Sequence, residues 1–219
     1  MSWLRQQTIV TFMKHNPTWE VHIIPPHPAI AKHNLLHAHA CDWSAWKRLY
    51  EYGGFLMDSD VISINPIPHE YLGADLCYQS SNRNDRTVRQ KAFFGAAKGN
   101  LYMKRLDEYC EAQAAKYGGV EEQNGSLSGQ DYNAFGVDAL RHTSDEKVGE
   151  ELTFDKDAFC YYGHDSDTIV SLWGERPLKS LSSACIGVHW YGGSPISFER
   201  EHDTSPTGTS WLERIARGE

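Results

Sequence analysis

The chain has 219 residues, 40% of them hydrophobic and 23% charged, which is typical of one globular domain with a full core. Its formal net charge of −8 argues against a general nucleic-acid binder and against a polybasic membrane surface, and no apolar run approaches the ~20 residues that span a bilayer. Five scattered cysteines without a Cys-x-x-Cys pair, and no signal-peptide segment, favour reduced thiols in a cytoplasmic setting.

The first predicted elements are a helix and a strand. Ser2 can cap the helix, which the Asn-Pro pair at 16–17 ends. Residues 19–24 then predict a strand that two prolines stop. The connection that follows carries three histidines at positions i, i+4 and i+6: His33, His37 and His39. Three imidazoles so spaced could bind a transition metal, and surface exposure or a polar approach to a ligand pocket is the alternative.

The next stretch predicts a helix, a turn and a strand. Residues 42–52 form the helix, with Asp42 suited to its N-cap. Gly53 suits the left-handed position after a helix end, and residues 55–57 are an apolar triplet typical of a buried strand.

Asp58 and Asp60 follow this strand directly, two residues apart. Open α/β sheets bind ligands outside the carboxyl ends of their strands, and two carboxylates there suit Mg²⁺ or Mn²⁺ carrying a substrate diphosphate. An Asp-Ser-Asp turn that closes a hairpin is the alternative, because both residue types are common in turns. A metal-dependent phosphatase or nuclease would also use paired aspartates, but it would need more carboxylates nearby than the sequence shows.

The middle of the chain predicts a strand at 61–64, a polar flexible loop at 79–91, and a buried strand at 92–97. An amphipathic helix follows from 100 to 116. The arginines of the predicted loop, Arg83, Arg86 and Arg89, could reach phosphate, but solvated surface is the favoured interpretation.

A further helix is predicted over residues 126–141. Gln130 and Asp131 lie in its first turn, where free N–H groups and positive potential could help them hold sugar hydroxyls or flank an anomeric carbon. Simple capping by Ser128 is the alternative. Residues 142–183 are polar, with strand-like pieces at 159–162 and 168–170.

The last elements are a strand at 184–190 and a short helix at 210–215. His189 lies at the strand end, and Gly192, Gly193 and Ser194 follow it, where backbone N–H groups could approach phosphate.

The run from Ala40-Cys41-Asp42 through Tyr-x-x-Gly-Gly to Asp-x-Asp resembles the glycosyltransferases whose sugar-binding region carries a DXD motif, on the GT-A fold. The relatives are the α-mannosyltransferase-like and capsular-polysaccharide-type enzymes and, more distantly, the clostridial glucosylating toxins. The resemblance implies one GT-A domain over residues 1–219, an α/β, Rossmann-like fold with a mixed, mostly parallel sheet and flanking helices. The family's usual first strand has no counterpart before Ser2, so a short variant and a truncated start both stay open.

The resemblance also implies site residues. Asp42 corresponds to a nucleotide contact, and His189 to a histidine near the metal–diphosphate. The donor-binding set is Asp42, Asp58, Gly53, Gly54, Gly192 and Ser194, and the metal set is Asp58, Asp60 and His189. The segment around Gln130 and Asp131, the catalytic candidates, partly resembles an Asp-Gln-Asp-x-x-Asn motif of another retaining GT-A family. Ala45 stands where the family has arginine, and Arg48, one turn on, is a candidate substitute.

The predicted activity is therefore Mn²⁺- or Mg²⁺-dependent transfer of a sugar from a UDP- or GDP-linked donor to a glycan, lipid-linked or other acceptor, with retention of configuration. A non-catalytic or hydrolytic nucleotide-sugar-binding protein on the same fold is the alternative. No nucleic-acid partner is expected, and peripheral membrane contact stays open, as do the donor sugar, the base and the acceptor.

Overall fold

The computed structural model describes residues 1–83, 86–117, 133–143, 149–154, 158–159, 166–176 and 180–219. The helices in these residues are α1 (Trp3–His15), α2 (Pro28–Ala31), α3 (His37–Tyr52), α4 (Leu101–Tyr117), α5 (Val137–His142), α6 (Ser166–Leu172), α7 (Pro195–Glu201) and α8 (Trp211–Arg217). The strands are β1 (Gly54–Met57), β2 (Val61–Ser63), β3 (Leu76–Arg83), β4 (Arg86–Ala96), β5 (Glu151–Phe154) and β6 (Gly187–His189), and a 3-10 helix covers His69–Gly73.

The contacts within the chain divide it into two compact units. The first unit comprises residues 1–21, 57–69 and 155–219, and the second comprises residues 22–56 and 70–154. The prediction of one domain over the whole chain stays a prediction.

The second unit is a mixed sheet covered by helices. The strand order is β1-β4-β3-β5, with β3 antiparallel to β4 and parallel to β5. Trp46 of α3 is fully buried against Phe94 of β4, with ring centroids 5.6 Å apart, and its indole N–H donates to the Phe135 carbonyl at 2.8 Å. The α/β class and the mixed sheet are confirmed, whereas parallel pairing does not predominate among the described strands, since β2 and β6 are also antiparallel.

The first unit contains the two-stranded ladder of β2 and β6. Val61 pairs with His189 and Ser63 with Gly187, so the strands run antiparallel. Ile62 and Val188 are fully buried in one hydrophobic cluster with Leu4 of α1 and Leu212 of α8. This core fixes α1 beside the ladder that carries the predicted metal ligands.

Several predicted elements are confirmed, because their end signals are local. The Ser2 hydroxyl accepts from the Arg5 N–H at 3.3 Å, and α1 ends at His15 before the Asn-Pro pair. Asn100 caps α4 by accepting from the Tyr102 N–H at 2.8 Å. The helix α3 ends at Tyr52 and is followed by Gly53 at φ 70°.

Two predictions made from polarity and hydrophobicity alone were wrong. Residues 19–24 form no strand, and Ile23 and Ile24 are exposed, because an apolar run becomes a strand only beside a partner backbone. Residues 79–83 and 86–91 of the predicted loop belong instead to the antiparallel strands β3 and β4, which include the buried polar residues Gln79 and Arg89.

Residues 168–170, predicted as a strand, lie in helix α6. The helix buries Ile169 and Leu172, and Trp173 directly after it is also buried, so burial at helical spacing overrides the β-branched composition of the segment. Of the helix predicted over 126–141, the described part becomes helical only at Val137. The predicted strand at 159–162 lies almost wholly outside the described residues.

Candidate metal centre

Asp58 and Asp60 lie in the short turn that joins β1 to β2. The antiparallel ladder of β2 and β6 continues into this turn, because the Trp190 N–H donates to the Asp60 carbonyl at 3.0 Å. Since Val61 pairs with His189, the ladder places the histidine beside the second aspartate. The Asp-Ser-Asp segment is therefore a turn, but it closes no hairpin, because β1 and β2 belong to different sheets.

The Asp60 carboxylate is held from both sides. His189 Nε2 lies 3.2 Å from Oδ1, and the Gly192 N–H donates to Oδ2 at 2.8 Å. The side chains of His189 and Asp60 are only 12% and 15% exposed. Tyr191 adopts a left-handed φ of 54°, which bends the chain after β6, and its ring centroid is 4.3 Å from that of His189.

The electrostatics of this pocket favour a charged Asp60. Burial acts to raise the pKa of Asp60, but His189, the Gly192 N–H and Arg5 together outweigh burial and hold the pKa well below the usual aspartate range. Asp60 is therefore an anion at any physiological pH.

One ligand atom from each of Asp58, Asp60 and His189 can be chosen so that all lie within 4.8 Å of one another. Among the residues that the structure describes, no other group of three or more His, Cys, Asp or Glu side chains meets this test. Ligands about 2.1 Å from an octahedral ion lie about 3 Å apart when adjacent. The 3.2 Å between His189 Nε2 and Asp60 Oδ1 suits such a pair. Two carboxylates with one imidazole fit Mn²⁺ better than Mg²⁺.

Gly192 and Ser194, predicted to approach phosphate, have partners within the chain. The Gly192 N–H is directed to Asp60, and the Ser194 hydroxyl caps α7 by accepting from the Ser197 N–H at 3.2 Å. A Cβ built on Gly192 would lie 2.6 Å from Arg5 Nη2 and 2.9 Å from two atoms of the Trp190 ring. A side chain at position 192 would therefore displace Arg5 or Trp190.

Asp42, the predicted nucleotide contact, belongs to the second unit. It does not cap α3, whose N-cap is Leu36, because residues 37–41 contain no helix breaker and extend the helix backwards. Asp42 is buried and forms an ion pair with Lys91. Gly136 lies so close to Asp42 that a Cβ there would clash with the carboxylate. Its contact with a nucleotide stays a prediction.

Gly53 and Gly54 also lie in the second unit, at φ 70° and 99°. A Cβ on Gly53 would also lie 2.6 Å from the Lys98 backbone nitrogen. Gly53 is therefore favoured both by its positive φ and by the lack of space for a side chain. Gln130 and Asp131, the catalytic candidates, lie outside the described residues.

The arginines considered for phosphate binding have structural partners where they are described. Arg48 pairs with Glu51 at 3.2 Å, and Ala45, at the family's arginine position, is buried. Arg89 is buried and pairs with Glu151 at 3.2 Å, which contradicts its prediction as solvated surface. The side chains of Arg83 and Arg86 lie outside the description.

The three clustered histidines do not form a metal group among the described residues. His39 is fully buried and stacks on Phe135 at 4.7 Å, whereas the His33 ring lies 5.1 Å from Trp43. His37 contacts Cys41, one turn along α3, at 3.5 Å.

Sequence reasoning missed Arg5 and Glu201. The two form a two-pronged ion pair, with Arg5 Nε 2.5 Å from Oε1 and Nη2 3.0 Å from Oε2. A usable signal was present: Arg5 shares a helical face with the buried residues Thr8 and Phe12, where an arginine is unusual.

No protein-family model matches the chain, and no curated protein matches it either. None of the described helices is both long and apolar enough to cross a bilayer. A function for the chain therefore has to be inferred from Asp58, Asp60 and His189.

Proposed function

We propose that the chain is a metal-dependent glycosyltransferase that moves a sugar from a UDP- or GDP-linked donor to a glycan, lipid-linked or other acceptor, with retention of configuration. One observation carries the proposal: Asp58 and Asp60, at the end of a strand, share a centre with His189 from a segment far along the chain. These residue types in this order also match the family that the sequence resembles.

Each residue of the centre has a proposed role. Asp60 would hold the ion, while the Gly192 N–H fixes the orientation of the carboxylate through Oδ2. His189 would supply the third ligand, and Asp58 would hold the ion through water or hold the ribose. When bound, a divalent ion would act as a Lewis acid on the departing diphosphate. Gln130 and Asp131 are proposed to face the oxocarbenium-like sugar.

The first test is Asp60→Asn, which keeps the size of the side chain and removes its charge. The full chain is assayed with Mn²⁺ and a panel of UDP- and GDP-sugars. We expect kcat/KM to fall by about 100-fold or more, because a charge that holds the leaving-group ion is lost. Asp203→Asn is the matched control, since Asp203 is an exposed aspartate of the same unit. Turnover by Asp60→Asn within about threefold of wild type would exclude this role.

Binding and product analysis separate transfer from the alternative. Thermal shift with UDP or GDP, with and without Mn²⁺, reports nucleotide binding whether or not turnover occurs. Chromatography of the sugar product then distinguishes transfer to an acceptor from release as free sugar. Metal-dependent binding with no product of either kind would make the chain a nucleotide-sugar-binding protein.

A further inference from the structure

Arg5 connects three segments, two of which carry the ligands of the candidate metal centre. Its Nη1 donates to the hydroxyl of Ser59, the middle residue of the Asp58–Asp60 turn, at 2.6 Å. Its guanidinium carbon lies 5.2 Å from the centroid of the Trp190 ring, next to His189 in sequence. Its remaining bonds go to Glu201 at the end of α7.

The partners of Arg5 are themselves held. Glu201 is only 4% exposed and also accepts from the Ser2 hydroxyl at 2.6 Å. Thr8, one turn after Arg5 on α1, donates to the Ser59 carbonyl at 3.0 Å. Helix α1 thus holds both the side chain and the backbone of Ser59, and this fixes the turn between the two aspartates.

We propose that Arg5, oriented by Glu201, is a positioning residue that holds the 58–60 turn against residues 190–192 and thereby sets the affinity of Asp58, Asp60 and His189 for Mn²⁺. The inference rests on the proposed function, since it concerns the same centre. Partners that orient metal ligands commonly change metal affinity by about 10–100-fold when they are removed.

Charge and geometry predict opposite effects of removing Arg5. A nearby cation repels a metal ion, so a purely electrostatic role predicts that Arg5→Gln binds Mn²⁺ more tightly. A positioning role predicts weaker binding, because the turn loses its anchor although a positive charge has been removed. Arg5→Lys keeps the charge but cannot reproduce the planar fork that spans Glu201 and Ser59.

The experiment is a Mn²⁺ titration of the full chain, followed by the electron paramagnetic resonance signal of the free ion. The variants are Arg5→Gln, Arg5→Lys and Ser59→Ala, and near-UV circular dichroism checks that each is folded. Arg217→Lys is the matched control, since Arg217 makes a similar two-pronged pair with Glu219 and is similarly exposed, 23% against 29% for Arg5.

We expect about 10-fold weaker binding in both Arg5 variants, about threefold weaker binding in Ser59→Ala, and no change in the control. Unchanged or tighter binding in Arg5→Gln, with wild-type affinity in Ser59→Ala, would overturn the inference. If the Arg5 variants do not fold, the exposed Ser59 decides alone, because Ser59→Ala leaves the Arg5–Glu201 pair in place.

The titration and the turnover assay together separate this inference from the proposed function. Arg5-dependent Mn²⁺ binding without sugar transfer or hydrolysis would support the inference and refute the glycosyltransferase. Sugar transfer, together with a Mn²⁺ affinity that does not change in the Arg5 and Ser59 variants, would support the glycosyltransferase and refute the inference. Absence of Mn²⁺ binding by the wild-type chain would refute the inference, and the turnover assay would then decide the proposed function.

Discussion

Replacing Gly192 by alanine tests the packing that holds Asp60 in place. The new Cβ would lie 2.6 Å from Arg5 Nη2 and 2.9 Å from two atoms of the Trp190 ring. Both distances are below van der Waals contact, and Trp190 is fully buried. Arg5 must therefore move, and the 3.0 Å bond from its Nη2 to Glu201 is the contact most directly stretched.

The expected cost follows from three contributions. Overpacking a buried site costs about 1–3 kcal/mol, and losing a hydrogen bond between charged groups costs about 1.5–3 kcal/mol. Gly192 does not have a left-handed φ, so alanine adds no backbone strain and instead lowers the entropy of the unfolded chain, which offsets about 0.4–1 kcal/mol. We expect Gly192→Ala to lower the free energy of unfolding by about 1.5–5.5 kcal/mol.

The measurement is urea unfolding followed by tryptophan fluorescence, without metal. Gly174→Ala is the control in the same unit, since its Cβ would lie 3.4 Å from the Ser171 carbonyl, an ordinary contact, and should change stability by no more than about 0.5 kcal/mol. Equal stability of the two variants would show that Arg5 and Trp190 do not pack against Gly192, and the described geometry of the centre would then be wrong.

Two further predictions concern the second unit. Burial raises the pKa of Cys77 from 9.0 to about 12, so the folded state keeps the neutral thiol; this contribution is complete below pH 9 and is lost as pH rises toward 12. Between pH 7 and 10, wild type should lose about 1.4 kcal/mol more unfolding free energy than Cys77→Ser, and equal losses in the two proteins would contradict the raised pKa of Cys77. Arg89 is 4% exposed and bonded to both oxygens of Glu151, so Arg89→Met should cost about 3 kcal/mol. Arg105 is exposed, so the control variant Arg105→Met should lower the free energy of unfolding by less than about 0.5 kcal/mol. Similar urea unfolding midpoints for the Arg89 and Arg105 variants would show that the Arg89–Glu151 pair does not stabilise the fold.

Local signals in the sequence were sufficient for several helix ends, those marked by Ser2, Asn100 and Gly53, and for the position of the paired aspartates. A cap or a glycine turn is stabilised by groups within about five residues, so the sequence contains all the partners that matter. Ser2, Asn100 and Gly53 lie where their residue types predict. The Asp58–Asp60 turn follows its strand for the same reason.

Polar residues were misjudged where distant partners satisfy them. Arg89 lies in a hairpin strand because Glu151, 62 residues away, neutralises it. Asp42 lies inside a helix beside Lys91, 49 residues away. A short stretch of sequence shows the polarity of such residues but not the distant partner whose charge offsets the cost of burying them. A loop was therefore predicted at Arg89 and a helix cap at Asp42.

The sequence by itself placed Asp58 and Asp60 directly after one strand and His189 at the end of another, as candidate metal ligands. Only the tertiary structure decided that His189 lies beside Asp60, through the β2–β6 ladder, and that Arg5 reaches Glu201 across 196 residues. The physical reason is that strand pairing and burial depend on the free energy of the whole fold, in which every segment competes for partners. A short stretch of sequence therefore does not identify the distant segment with which it will pair.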